Sequence, residues 1–199
     1  MTERLTLHAV AAKPELATTT LTLAWGESVV FRPLVPKDVA GLADFLSDLS
    51  PRTREFFTSS GHDLAAAQEL CDAIARYDKL RLVAVVGGRI VALMEFSFAI
   101  VERDRDRYHG YGIRLAEGTD CRFGPCIADD YQNRGLGTVL LPLVKDVARR
   151  FGIRRIILWG GVFAHNLQAV RYYRKNGFQT MGAFKDDQGK EVLDMMLVL

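Results

Sequence analysis

Between a strand-like run ending "CIADD" and a long apolar-periodic stretch, the chain carries "YQNRGLGT", Tyr131 to Thr138. A turn needs one glycine. Here Gly135 and Gly137 flank Leu136, with Arg134 before them and Thr138 after. The first amides of a helix have no intrahelical acceptor and sit at the positive end of its dipole. Without side chains at 135 and 137, phosphate oxygens can reach those amides, and Arg134 adds a cation. The chemistry this suggests is capture of an anionic, diphosphate-bearing ligand. A Walker loop would need Lys and then Ser or Thr after its last glycine, where this chain has Thr138 and Val139. The dinucleotide fingerprint would need a glycine where Leu140 stands. A glycine-permitted turn ahead of a core helix is the alternative the glycines alone leave open.

A second constellation lies in "HNLQAVRYYRKNGF". Asn166 and Tyr173 are seven residues apart, two helical turns, so they share a face with Val170 between them. Taken singly, Asn166 reads as a helix N-cap and Tyr173 as a core residue with its hydroxyl at the rim. Tyr172 points elsewhere and reads as packing.

The elements that must position these residues follow from periodicity. "SVVFRPLVPKD" is a strand closed by two prolines, with Asp38 placed to cap a helix bearing Val39, Leu42, Phe45, Leu46 and Leu49. That helix is expected to stop before "SPRT", because Pro51 restricts the residue ahead of it. "SSGHD" is a loop, with Asp63 as N-cap of a second helix carrying Leu64, Ala67, Leu70, Cys71 and Ile74. Two β-branched runs around Gly87-Gly88 predict a hairpin with a primed turn. "ERDRDRYHGYG" reads as a solvated loop or strand extension. "TDCRFGPCIADD" is a strand whose Gly124-Pro125 must break a ladder, since proline cannot donate to one. From Gly135 a helical stripe runs through Leu136, Val139, Leu140, Leu143, Val144, Val147 and Phe151, with Pro142 inside it. "RRIILWGGV" is a buried strand, Asn166 to Asn176 a helix ended by Gly177, and the last segment a closing hairpin. This order gives a mixed α/β layer without internal repeats. Residues 1–22 are expected as a loosely ordered arm or edge element, and 23–199 as a single domain.

Composition narrows the function classes. With 199 residues and 49% apolar content the chain can bury one substantial core. A net charge of +2 and no basic helical stripe argue against a nucleic-acid partner. The sequence shows no apolar leader segment and no run near 18 apolar residues, so no membrane partner is expected and cytoplasmic localisation is. Cys71, Cys121 and Cys126 fit no disulfide framework and are expected as buried thiols, with no metal.

"QNRGLGT" resembles the acyl-CoA-binding Q/R-x-x-G-x-G/A motif of the GNAT superfamily of N-acetyltransferases, and "NLQAVRYYRKNGF" is similar to that family's Asn-x-x-Ala…Tyr…Gly-Phe segment. Both stand in family order with a strand between them, and the match is specific over about Cys121 to Phe178. "FRPLVPKD" opening into two helices looks like the family's first strand and substrate-side helices. The resemblance implies a mixed, mostly antiparallel central sheet flanked by helices, with a splayed strand pair. It implies that the amides around Arg134, Gly135, Leu136, Gly137 and Thr138 hold the diphosphate of coenzyme A. The strand ending at Ile127-Ala128 would pair with the pantetheine arm and splay from the strand around Leu158. Asn166 would contact that arm, and Tyr173 would lie near the thioester sulfur.

No Ser-His or Cys-His pairing is evident, so direct attack of an amine on acetyl-CoA or a similar acyl-CoA fits better than a covalent intermediate. Tyr173 is the acid candidate. Phenol to thiolate transfer is uphill by roughly 2 kcal/mol in water, so its role is a hydrogen bond to the developing sulfur anion. The strand before the glycine turn lacks the glutamate many family members carry there. Glu95 is the first candidate base, followed by Asp129 and His165. Deprotonating a lysine at pH 7 costs about 4.6 kcal/mol against about 1 for an α-amino group, which favours the latter where no strong base exists. The expected acceptor is a small-molecule or peptide amine, with a small amine, an antibiotic, a peptide N-terminus and a protein lysine all open. The alternative is a module of the same fold that binds acyl-CoA as a sensor, without turnover. Pairing of the last strands across a two-fold axis is a route to a homodimer.

Overall fold

Alternating β-branched and apolar residues on both sides of Gly87-Gly88 make the longest hairpin of the chain, β3 (Lys79–Val86) and β4 (Arg89–Ser97). Both glycines take positive φ, +56° and +85°, as a primed turn requires. The computed structural model describes residues 4–57 and 61–199, so Ser59 and Ser60 of the expected "SSGHD" loop lie outside the described residues. The fold is mixed α/β, with mostly antiparallel strand pairing flanked by helices. Its contacts divide the chain into two compact units.

The first unit comprises Leu5–Glu95 and Pro125–Leu143. A short helix α1 (Leu7–Ala12) leads to β1 (Thr19–Thr22), which pairs antiparallel with β2 (Ser28–Pro33) from Thr19↔Phe31 to Thr22↔Ser28. Leu5, Val10 and Ala17 of this opening segment are buried. Strand β2 pairs in turn with β3, Val29 opposite Val86. Helix α2 (Val39–Asp48) buries Leu42, Phe45 and Leu46, the expected stripe. Asp38 does not cap it. Its carboxylate turns back to accept from the Val35 amide at 2.9 Å and from both ends of the Arg32 fork at 2.7 and 2.8 Å. The chain does not simply stop at "SPRT" either. Ser50 caps a further helix α3 (Pro51–Phe56), with Pro51 at the first helical position, where its missing N–H costs nothing. Helix α4 (Leu64–Asp72) starts at Asp63, which accepts from the Ala66 amide as an N-cap should.

The second unit comprises Arg4, Phe96–Gly124 and Val144–Leu199. Here β5 (Asp120–Ile127) runs parallel to β6 (Arg155–Leu158), and the ladder ends at Phe123↔Leu158, with the Trp159 amide giving one more bond to the Phe123 carbonyl. Pairing therefore stops at Gly124-Pro125, where the proline was expected to break it. Strand β9 (Glu191–Val198) pairs antiparallel with β6, with β7 (Val162–Phe163) and with β8 (Gln179–Lys185).

The run "ERDRDRYHG" is helix α5 (Glu102–Gly110), not a solvated loop. Its inward stripe is polar: Asp104 pairs with Arg107 at 2.6 Å and lies 2.7 Å from Arg122 on β5, while Arg107 reaches Asp194 on β9 at 2.8 Å. Tyr108 donates to the Met195 carbonyl and Tyr111 to Asp194. Positions 104, 107, 108 and 111 repeat at helical spacing, but charge hides the stripe from any hydrophobic periodicity.

Two helices carry the motif residues. Helix α6 (Leu136–Arg150) continues through Pro142, which stands on its exposed face. Thr138, whose carbonyl loses the proline's missing donor, is exposed too. Leu136, Leu140, Val144, Val147 and Phe151 are buried as expected; Val139 instead faces outward and Leu141 inward. Helix α7 (Leu167–Lys175) ends with Gly177 at φ +94°. The Gly177 amide bonds the Arg174 carbonyl and the Phe178 amide the Tyr173 carbonyl, the Schellman pattern.

Candidate active site

In the first unit the end of β5 passes through a short turn, Asp129–Tyr131, into the glycine segment. Asn133 and Gly135 take left-handed backbone, φ +58° and +89°. The Gly135 carbonyl accepts the first intrahelical bond, from the Val139 amide at 3.1 Å, so Gly135 is the N-cap of α6. A Cβ added at Gly135 would meet nothing within 4 Å, so the glycine answers to backbone conformation and open approach, not to crowding. Leu136 is fully buried and anchors the turn, while Arg134 and Thr138 are exposed. The amides of residues 136–138 lie ahead of the point where intrahelical bonding begins, which is the anion-receptive end of the helix.

A ring of side chains fixes this turn from behind. Gln132 donates its amide to the Ile127 carbonyl at 2.9 Å and to the Thr53 hydroxyl at 3.0 Å. Thr53 donates to Asp129 at 2.7 Å, and Ser50 gives Asp129 both its hydroxyl, at 2.6 Å, and its amide, at 2.9 Å. Burial pushes the Asp129 carboxyl up, but the Ser50 and Thr53 bonds outweigh it and hold the group below the usual range. Asp129 is thus a brace tying the start of α3 to the turn and a poor proton acceptor. Ala128 is occupied on both sides, its amide donating to the Val91 carbonyl and its carbonyl accepting from the Tyr131 amide, each at 2.9 Å. Gln132, Ser50 and Thr53 escaped sequence reading. Gln132 opens the quoted motif and was the one with a signal.

Glu95 lies on β4 in the same unit. Its carboxylate accepts from the Arg81 Nε at 2.8 Å; Arg81 is 5% exposed and Glu95 13%. No spacing rule links these two residues, fourteen apart across a hairpin. Burial, then Asp129 and Glu95, push the Cys126 thiol up, which places both carboxylates within electrostatic reach of that residue. Cys71, Cys121 and Cys126 are all buried free thiols, as expected.

In the second unit Asn166 caps α7, its side-chain oxygen accepting from the Ala169 amide at 3.2 Å. Val170 and Tyr173 are the buried residues of that helix. The Tyr173 ring packs edge-on to Phe178 at 5.1 Å and to Tyr172 at 5.3 Å. Burial pushes the Tyr172 hydroxyl up to about 12, consistent with a packing role. The His165 ring stands against Phe163. Among the described residues no group of three or more His, Cys, Asp or Glu could hold a metal ion.

A strand feeds a glycine N-cap at the head of an amphipathic helix, and a strand and a second capped helix follow in the chain, the order in which the two motifs were read. Residues 42–178 match the acetyltransferase (GNAT) family profile. The chain belongs to that family. An acetyltransferase of Pseudomonas aeruginosa is 34% identical over 131 residues, covering 66% of this chain and 65% of that protein, so the chain spans about two thirds of that relative's length. Among solved structures, the GNAT domain of S. lividans PAT superposes with a TM-score of 0.71 at 22% identity, covering 94% of this chain and 99% of that one. AAC(6')-Ib in complex with paromomycin and acetyl-CoA gives 0.65 at 21% identity over 85% and 93%. At these identities the structural likeness speaks for the fold.

Proposed function

We propose that this chain transfers an acetyl or other short acyl group from acyl-CoA to an amine by direct attack within a ternary complex. The observation that carries the reading is the Gly135 N-cap, with φ +89° and nothing within 4 Å of where its Cβ would stand. Arg134 and the amides of residues 134–138 hold the diphosphate, backbone of the β5 end at Ile127 and Ala128 lies along the pantetheine, and Asn166 contacts its amides. In the reaction the amine nitrogen bonds the acyl carbon, the C–S bond breaks, and the amine proton leaves to Glu95, directly or through water. Tyr173 hydrogen-bonds the departing thiolate. The Ile127 carbonyl and both polar groups of Ala128 already hold partners, so pantetheine would pair through second lone pairs or by exchange.

The acceptor is a small-molecule or peptide amine, in keeping with the aminoglycoside acetyltransferase AAC(6')-Ib among the fold neighbours. We infer a cytoplasmic location from the sequence; among the described residues no helix is long and apolar enough to cross a membrane. Thiol release from acetyl-CoA against a panel of aminoglycosides, polyamines and peptide N-termini tests the reading. Acceptor-dependent release supports it. Coenzyme binding with no release from any acceptor favours the sensor alternative.

A further inference from the structure

Arg134, the cation of the glycine turn, is held by a part of the chain far from the motif. Its guanidinium lies over the Trp25 ring at 4.7 Å from the centroid and over the Tyr131 ring at 5.1 Å. Trp25 sits in the turn that joins β1 to β2. That turn is closed by the Leu23 amide bonding the Glu27 carbonyl at 2.8 Å and the Gly26 amide bonding the Leu23 carbonyl at 2.9 Å. Gly26 takes φ +93° and Leu23 is buried, so the turn has one shape and an anchor. Glu27 then ties the two rings together: the Trp25 indole N–H donates to one carboxylate oxygen and the Tyr131 hydroxyl to the other.

This wiring leaves the charge of Arg134 available. The Glu27 carboxylate is used by the two aromatic donors, and the Asp130 carboxylate is used by Arg89 at 2.6 Å. Beside its two ring contacts, Arg134 donates, among the described residues, to the Asp130 backbone carbonyl at 3.4 Å, and the Asp130 carboxylate reaches it only as a charge, without a hydrogen bond. Aromatic faces orient a guanidinium without neutralising it, and an arginine already ordered loses less freedom when it meets an anion.

We propose that Trp25 and Tyr131, bridged by Glu27, form a clamp that presets Arg134 for the coenzyme diphosphate, making the β1–β2 turn a coenzyme-affinity element. Trp25 is a positioning residue in this scheme and acts only through Arg134. The inference rests on the acyl-CoA reading above.

Calorimetric titration of the full chain with coenzyme A and with pantetheine, which lacks the diphosphate, tests it. Trp25→Ala should weaken coenzyme A binding about fivefold, the scale of one exposed cation–π contact, and leave pantetheine binding unchanged. Trp25→Phe should retain most of the affinity. In an Arg134→Ala background, Trp25→Ala should cost nothing further. Losses that multiply in the double variant, or an equal loss for pantetheine, overturn the proposal, since either would show Trp25 acting on the fold at large. A wild-type chain that binds neither molecule overturns the acyl-CoA reading itself, an outcome distinct from both.

Discussion

At the residue scale the two glycines of the turn are not equivalent. Gly135 holds left-handed backbone that any L side chain would strain, whereas Gly137 lies in the first turn of α6. A Gly135 variant would therefore mix backbone strain with blocked approach. Gly137 is buried there, so Gly137→Glu should abolish coenzyme A binding by calorimetry at some cost to the thermal midpoint, with circular dichroism checking that the fold is kept. Retained affinity would remove the glycine turn from the site. Tyr173 is buried against Phe178, so Tyr173→Phe keeps the packing and deletes only the hydroxyl. Turnover should fall by about a hundredfold, the low end of the general-acid range, with coenzyme affinity nearly unchanged. An unchanged rate would take the acid role away. The first base candidate, Glu95, is readable as a carboxylate on the right strand, but its partner Arg81 is not, because cross-strand neighbours are set by hairpin register. Asp129 shows the reverse case. Its position before the turn suggested a base, and its three donors make it a brace.

At the element scale, the motif residues stand at capped helix ends. Gly135 opens α6, Asn166 opens α7 and Gly177 closes it, and each was legible because caps depend on a few local residues. Helix α5 was not legible, since its inward face is built from charge. The strand that closes the second unit carries a different constraint. A Cβ at Gly182 on β8 would come within 2.2 Å of the Tyr111 ring, although this glycine is not among those with positive φ. The conflict is purely steric. Gly182→Ala should destabilise by roughly 1–3 kcal/mol, the usual cost of overpacking, seen as a lower urea midpoint. Adding Tyr111→Ala should give back part of that loss. If Gly182→Ala leaves the midpoint unmoved, β8 and Tyr111 are not packed as described.

At the scale of the whole molecule, acid stability follows from the braced aspartates. For Asp38, burial raises the carboxyl but the Arg32 and Val35 bonds prevail, and its folded value lies below the ordinary 3.8. The unfolded chain then takes up a proton at higher pH than the folded one. The stabilisation is complete above the ordinary value and is lost as pH falls through the depressed one. Denaturant midpoints should therefore drop below about pH 5, and Asp38→Asn should make that acid limb shallower; an unaltered slope would sink the assignment. Ligand linkage offers a second global readout. At a hundredfold excess over its dissociation constant, a ligand stabilises by about 2.7 kcal/mol. Coenzyme A should raise the melting temperature and ATP should not. The reverse result would point to a nucleotide-phosphate binder.

The sequence by itself determined the family, the β3–β4 hairpin, the glycine turn and the caps of α7. Each depends on residues a few positions apart, where backbone conformation and periodicity act directly. Only the tertiary structure decided that Asp38 turns back to Arg32, that a charged run is a helix whose inward polar face is held by Asp194, and that Trp25 stands over Arg134. Those arrangements join residues separated by strands, and long-range pairing of polar groups is selected by three-dimensional packing, which leaves no period in the chain.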